Sequence, residues 1–196
     1  VTLLVGVPIR AFDGMVRLAP VLDRPRRRRL VARLAARTLE VARAAGCAVA
    51  VVTGDPEVAA WAETRHVRVV VEPAGGGLDG AAAALVAAAS PPWAVVHADL
   101  PLLGVPDLVA VAREAAIATV LAPSRDGGTS VVASTLPGFP FAYGPGSFAR
   151  HLAACPGPRR VLVRPGLAFD LDRPADLAAA ERLGILSAAP AGDGGS

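Results

Sequence analysis

The order of apolar and amphipathic stretches predicts an α/β protein: a single domain on a mostly parallel sheet with helices on both faces. Short, continuously apolar runs such as Val1–Val7 and Trp93–His97 suit strands buried on both sides. Between them lie stretches long enough for helices, some opened by Pro or followed by Gly. The 196 residues show neither an internal repeat nor a linker. A chain of that length can bury roughly 70% of its unfolded surface without help from a metal or disulfide.

Val1–Val7 reads as the first strand. A helix from about Pro25 to Ala45 has Pro in its first turn and Gly46 just past its end, with Leu30, Leu34 and Val41 spaced for one buried face. Ala48–Thr53 is the next strand, followed by a short helix after Asp55 and the strand Val67–Val71. Leu78–Ala89 is helical, Trp93–His97 a buried strand, Asp107–Ala115 a helix and Ala118–Leu121 a strand. Ser130–Ser134 reads as a strand, Ser147–Ala154 as a helix, Arg160–Val163 as a strand and Pro174–Leu183 as the closing helix. The domain is expected to span residues 1–186, with 187–196, small and Gly-rich, as a disordered tail.

Composition narrows the function. Hydrophobic residues make up 53% of the chain, and 20 basic against 17 acidic side chains leave a net charge of +3. No apolar run approaches the roughly 20 residues of a membrane span. No basic segment precedes the first apolar stretch, so neither a membrane partner nor a signal peptide is expected, and a cytoplasmic location is. Every basic residue is Arg; Lys, Asn and Gln are absent, as in a chain coded by a very GC-rich genome. Motifs that ordinarily use Lys or Asn must therefore take another form, and Arg is no neutral replacement for Lys. Arg24 and Arg26–Arg29 cluster at a helix start without interleaved aromatics, which reads as a solvated face and not as a nucleic-acid stripe. Cys47 and Cys155 stand far apart, as reduced and mostly buried thiols.

In parallel sheets ligands sit beyond the carboxyl ends of the strands, so the loops that follow strands carry the chemistry. The loop after the first strand holds Arg10 and Arg17 and can wrap phosphates, although it is neither a Walker loop nor a dinucleotide fingerprint. Gly75, Gly76 and Gly77 allow backbone to approach a ligand closely. Asp99, two residues past a buried strand, suits a hard cation, since Mg²⁺ binds through one or two carboxylates plus ligand phosphates. Ser124–Ser130 and Tyr143–Arg150 offer Gly-opened backbone and hydroxyls, the latter feeding a helix with Ser147 as its N-cap and free amides for an anion. Asp170 and Asp172, two apart, share one face of an extended segment. Each feature has a plain reading as a turn, a cap or a solvated loop. Together they supply acidic groups for Mg²⁺ and Gly- or Arg-rich loops for phosphates, the combination that metal-assisted phosphoryl or nucleotidyl transfer requires.

The strings VPIRAFDGMVRLAP, EPAGGGLDGA, HADLPLL, SRDGGTS, FAYGPGSFARH and PGLAFDLDRPADL follow in that order from about Val1 to Leu183. In this the chain resembles the guanylyltransferases of coenzyme F-420 biosynthesis, which act on 2-phospho-L-lactate in archaea and phosphoenolpyruvate in actinobacteria. The resemblance implies a nucleotide-diphospho-sugar transferase (GT-A-like) nucleotidyltransferase fold, GTP and a small phospho-acid as partners, and Mg²⁺ as cofactor; a homodimer is compatible with it. It places the metal on Asp99, Asp170 and Asp172, and the phospho-acid on Thr129, Gly144 and Ser147. GTP falls to the first loop and to Gly76 and Gly77. Arg10 and Arg17 join Asp99 as catalytic residues, and His97 and His151 are left with packing or capping roles. The GC-rich composition tilts the acceptor towards phosphoenolpyruvate.

The chain departs from the family pattern in the first loop and at Asp79 and Arg173. The first loop of the family reads Pro-x-Lys and then Lys-Ser-Arg-Leu, where this chain has Pro8-Ile9-Arg10 and Met15-Val16-Arg17-Leu18. Loss of one cation from a desolvated triphosphate site costs roughly 2–5 kcal/mol of transition-state stabilisation. Asp79 stands in place of Asn, removing a donor and adding repulsion, and Arg173 in place of Thr offers compensating charge. Two other readings compete: a non-catalytic relative that binds nucleotide or phospho-acid, and a nucleotidyltransferase for a sugar phosphate or the molybdenum cofactor. The latter calls for a Gly-x-Gly-x-Arg…Pro-Lys first loop, which this sequence lacks.

Overall fold

The computed structural model describes residues 2–186, so Val1 and the expected tail at 187–196 lie outside the described residues. Seven strands form one sheet in the order β3-β2-β1-β4-β6-β5-β7. They are β1 (Leu4–Pro8), β2 (Ala48–Thr53), β3 (Arg68–Val71), β4 (Trp93–Val96), β5 (Thr119–Pro123), β6 (Thr129–Ser134) and β7 (Arg159–Val161). The helices are α1 (Arg24–Ala44), α2 (Pro56–Glu63), α3 (Gly77–Ala88), α4 (Val105–Ala115), α5 (Ser147–Ala154), α6 (Pro165–Ala168) and α7 (Pro174–Arg182). A 3-10 turn at Val16–Leu18 lies between β1 and α1.

The expected mostly parallel sheet is present, with one exception. β6 runs antiparallel to both β4 and β5, while the other pairings are parallel. The β5–β6 connection is a short Gly-containing loop, which favours a hairpin over a crossover. The reversal matters for the site. Val96 pairs with Val131, and the His97 amide donates to Ser130 O at 3.0 Å, so the start of β6 meets the carboxyl end of β4. Thr129 therefore reaches the same sheet edge as the loops after β1 and β4.

Both sheet faces are covered, as continuously apolar strands demand. Val5 and Val7 pack with α1, α2 and α4 residues such as Ala35, Val58 and Val111, whereas Leu4 faces Ala81 and Leu85 of α3. A third cluster joins Leu18 and Leu34 to Phe169, Leu171, Leu177 and Ala180, and so docks α7 and its approach segment on α1. Helix starts follow the sequence signals: Asp23 accepts the Arg26 amide at 2.7 Å, and Asp55 accepts the Glu57 amide at 2.8 Å. The Arg24–Arg29 cluster is partly tied up, with Arg24 and Arg28 on Asp13 at 2.7 and 2.9 Å. Cys47 and Cys155 are free; Cys155 is buried and Cys47 only half-buried. Among the described residues no helix is long and apolar enough to cross a membrane.

The antiparallel strand is pinned by a buried hydroxyl pair, Thr119 Oγ1 and Ser134 Oγ at 2.8 Å. Ser134 Oγ also accepts the Leu136 amide at 3.2 Å. Ser134→Ala strands both partners and is expected to cost about 1–3 kcal/mol of unfolding free energy. Adding Thr119→Val should cost less than the sum of the single changes, as urea denaturation of the four variants will measure.

Candidate functional site

Two cavities open side by side at the carboxyl edge of the sheet. One, of about 390 Å³, is walled by the first loop, including Arg10 and Met15, and by Leu78, His97 and Asp99. The other, of about 410 Å³, is walled by Arg17, Asp126, Thr129, Gly144, Ser147, Asp170, Asp172 and Arg173, and again by Leu78, His97 and Asp99. Asp99 thus stands on the partition between a loop with a cation and a cradle of hydroxyls and glycine.

Local chain geometry explains why the carboxylates meet. The Leu171 amide donates to the Asp99 carbonyl at 2.9 Å, stapling the 169–172 segment to the loop after β4. That segment alternates strictly: Phe169 and Leu171 are buried in the third cluster, so Asp170 and Asp172 turn the other way, into the cavity. Asp172 does not cap α7. Asp176 does so by accepting the Arg173 amide at 2.8 Å, which leaves the Asp172 carboxylate to pair with Arg17.

Electrostatically the site is under tension. Burial pushes the Asp99 carboxyl up to about 6, and the charges of Asp172 and Asp126 add to the effect. Burial likewise raises Asp170, with Asp126 and Asp99 contributing. Asp99 Oδ1 is buried and finds no hydrogen-bond partner among the described residues. An orphaned carboxylate oxygen beside a second desolvated carboxylate suits a divalent cation, so the residues present fit Mg²⁺. The expected three-ligand set is not assembled, however: among the described residues no group of three or more acidic, His or Cys side chains stands close enough to hold an ion. Asp99 and Asp170 remain as carboxylates that could hold it, and Asp172 is taken by Arg17.

Other expected residues divide. Arg10 and Arg17 line different cavities, one each. Gly76 and Gly77 border neither; their neighbour Leu78 borders both. Gly76 has a structural reason instead, because a Cβ there would sit 2.9 Å from the Gly80 Cα one turn along α3. Ser147 is the first residue of α5 and not its cap, and its hydroxyl lies 3.3 Å from Thr129 Oγ1. The first amides of α5 are not free for an anion, since Ser147 N donates to Gly144 O at 3.0 Å and Phe148 N to Gly127 O at 3.3 Å. Asp79 lines neither cavity; it accepts the Tyr143 amide at 2.7 Å and ties the 141–146 loop to α3. Met15 takes a left-handed conformation (φ 53°) and packs against two core clusters.

Sequence reasoning left three residues without a cavity role. His97 and Tyr143 pack ring to ring at 5.4 Å, and each has a buried polar atom, Nε2 and Oη, without a partner among the described residues. Burial holds His97 down at about 4, so it is neutral near pH 7. Asp126 accepts the Gly128 amide at 2.9 Å and faces Arg173. Their only sequence signal was position in a loop that follows a strand.

The raised Asp99 gives a pH signature. A carboxyl whose folded-state value lies above its ordinary 3.8 contributes stability that is complete below pH 4 and lost as pH rises through about 6. In metal-free buffer Asp99→Asn, which does not titrate, should therefore gain about 1–3 kcal/mol on the unsubstituted protein between pH 4 and pH 8. Denaturant melts at the two pH values measure the difference.

Known proteins resemble the chain in sequence and in fold. The chain is 38% identical over 196 aligned positions to a phosphoenolpyruvate guanylyltransferase of Sphaerobacter thermophilus, covering 90% of this chain and 91% of that one. It is 35% identical to a 2-phospho-L-lactate guanylyltransferase of Halomicrobium mukohataei, covering 89% and 83%. A stretch of 94 residues is 45% identical to the phosphoenolpyruvate guanylyltransferase of Rubrobacter xylanophilus; that match spans 44% of this chain and 46% of the relative. In fold, a nucleotide-diphospho-sugar transferase-like structure from Desulfovibrio desulfuricans superposes with a TM-score of 0.77 at 12% identity, over 95% of this chain and 89% of that one. CMP:2-keto-3-deoxy-manno-octonic acid synthetase follows at 0.52 and 14% identity, over 93% and 98%. The family model described as "Guanylyl transferase CofC like" matches residues 3–161, and the chain belongs to that guanylyltransferase family.

Proposed function

We propose that the protein transfers GMP from GTP to phosphoenolpyruvate, releasing pyrophosphate, as the guanylylation step of coenzyme F-420 biosynthesis, with 2-phospho-L-lactate as the alternative acceptor. The observation that carries this reading is Asp99 on the partition between two cavities, its Oδ1 buried and unpartnered. An acceptor phosphate in the cradle of Thr129, Gly144 and Ser147 would face a nucleotide in the first-loop cavity across that carboxylate.

In this reading an oxygen of the acceptor phosphate attacks the α-phosphorus of GTP in line, and the bond to the β-phosphate oxygen breaks as pyrophosphate leaves. No general base is required, because a phosphate dianion is already nucleophilic near pH 7. The obstacle is bringing anions together, so neutralisation and positioning dominate catalysis. Arg10 would meet the triphosphate, and Arg17 and Arg173 would face the acceptor. Mg²⁺ held by Asp99 and Asp170 would supply further charge neutralisation at the phosphates. Neutral His97 fits the partition as a wall that adds no charge.

A second reading, a non-catalytic relative that binds the same ligands, draws on Met15, a half-buried apolar side chain at the wall of the first-loop cavity where the resemblance expects a cation. One assay separates the two. With GTP, Mg²⁺ and either phospho-acid, the protein should release pyrophosphate, and Asp99→Asn should lower the rate at least a hundredfold, about 2.7 kcal/mol. Release by neither acceptor, restored by Met15→Lys, would favour the non-catalytic reading; no release in either form would defeat the guanylyltransferase proposal.

A further inference from the structure

The acceptor cradle rests on a buried histidine. His151, in the second turn of α5, is fully buried, as are Thr129 and Ser147, each at 2% exposure or less. Its two ring nitrogens have different partners. The Ala142 amide donates to Nε2 at 2.8 Å, and Nδ1 lies 2.9 Å from Thr129 Oγ1. The backbone N–H at Ala142 can only donate, so Nε2 must carry a lone pair. Burial favours the uncharged ring, holding His151 down at about 4. A neutral imidazole without hydrogen on Nε2 has it on Nδ1, and that N–H points at the Thr129 hydroxyl.

We propose that His151 is a positioning residue for the acceptor: fixed by the Ala142 amide in its Nδ1–H form, it donates to Thr129 Oγ1 and thereby commits a hydroxyl hydrogen to the anion in the cradle. A hydroxyl has one hydrogen and two lone pairs. Thr129 receives the imidazole N–H on one lone pair, and Ser147 Oγ stands 3.3 Å away. If Ser147 donates to Thr129, both lone pairs are filled and the Thr129 hydrogen is left for the cavity. If Thr129 donates to Ser147, the Ser147 hydrogen is left instead. Both residues line the acceptor cavity, so each arrangement presents one O–H to a bound anion. The opposite tautomer would turn two N–H groups towards one another at Ala142 and make Thr129 spend its hydrogen on Nδ1.

The same histidine fixes the cradle's backbone. By accepting from Ala142 it holds the loop that leads to Gly144, and Arg150, its neighbour on α5, donates to the Ala142 carbonyl at 2.9 Å and the Tyr143 carbonyl at 3.1 Å. One helical turn thus braces the loop through Arg150 and aims its hydroxyls through His151. This rests on the reading that the cavity takes a phospho-acid.

Two partial isosteres separate the ring's two roles. In His151→Gln the amide reaches the Nε2 position and can accept from Ala142, but the donor to Thr129 is lost. In His151→Asn the amide occupies the Nδ1 position and keeps that donor, but the acceptor for Ala142 is lost. At saturating GTP, His151→Gln should raise KM for phosphoenolpyruvate or 2-phospho-L-lactate about tenfold, the loss of one net hydrogen bond, with KM for GTP within about twofold. His151→Asn, which keeps the donor to Thr129 but frees the Ala142 loop, should raise the acceptor KM by less than His151→Gln does, and an equal or larger rise overturns the proposal. On a Thr129→Val background His151→Gln should add nothing further. An unchanged acceptor KM in His151→Gln, or acceptor and GTP KM rising together, overturns the proposal.

Imidazole ¹⁵N shifts of the full chain test it independently of turnover. A pyrrole-type Nδ1 and pyridine-type Nε2 at His151 support it, and the reverse or an imidazolium overturns it. A protein with the Nδ1–H form that releases no pyrophosphate with either acceptor would defeat the proposed function and leave this assignment standing. An active protein with the Nε2–H form would do the opposite.

Discussion

One backbone hydrogen bond organises the site, from the Leu171 amide to the Asp99 carbonyl at 2.9 Å. It joins two segments far apart in the chain, the turn after β4 and the approach to α7, and sets them side by side at one sheet edge. Leu171 is held from behind by a cluster that includes Leu18 and Leu34, so the segment cannot rotate without exposing apolar surface. With Leu171 inward, Asp170 and Asp172 face the cavity, and hydrophobic burial directly sets the direction of the acidic groups.

The arrangement is costly in isolation. Carboxylates at Asp99, Asp126, Asp170 and Asp172 share one cavity, and Asp99 and Asp170 are held above the ordinary carboxylate range by burial first and then by neighbouring carboxylates, Asp126 acting on both. Arg17 on Asp172 offsets part of the repulsion, leaving Asp99 Oδ1 unanswered. A site that is strained when free and satisfied by a cation with phosphates sacrifices stability for ligand affinity, the trade common at functional centres. The absence of Lys and Asn shapes the same region. Asp79 does work open to a carboxylate by accepting the Tyr143 amide, whereas Met15 puts a half-buried apolar side chain between the core and the first-loop cavity.

Much of this was legible in the sequence because it followed from local pattern. Apolar runs located every strand to within a few residues, and the two-residue spacing of Asp170 and Asp172 gave their common face. The direction of β6 was not legible, since Ser130–Ser134 would be equally apolar in either sense and the choice lies in the preceding hairpin. The four-residue α6 is too short to show a helical period. Gly76 and Gly77 misled because a glycine needed for a tight helix start, Gly76 against Gly80 and Gly77 for its φ of 57°, looks the same as one that admits a ligand. His151 read as a packing residue because its significance lies in two partners, one on β6 and one on a loop, that only the folded chain brings to it.

The proposal stands on Asp99, between the two cavities, holding a cation that would serve the phosphates of both ligands. Electron paramagnetic resonance of Mn²⁺, in place of Mg²⁺, with GTP and phosphoenolpyruvate tests it most directly. Mn²⁺ should bind with hyperfine coupling to phosphorus of both ligands, and Asp99→Asn should lose that signal. Mn²⁺ held equally well by Asp99→Asn, or coupled to one ligand alone, would contradict it.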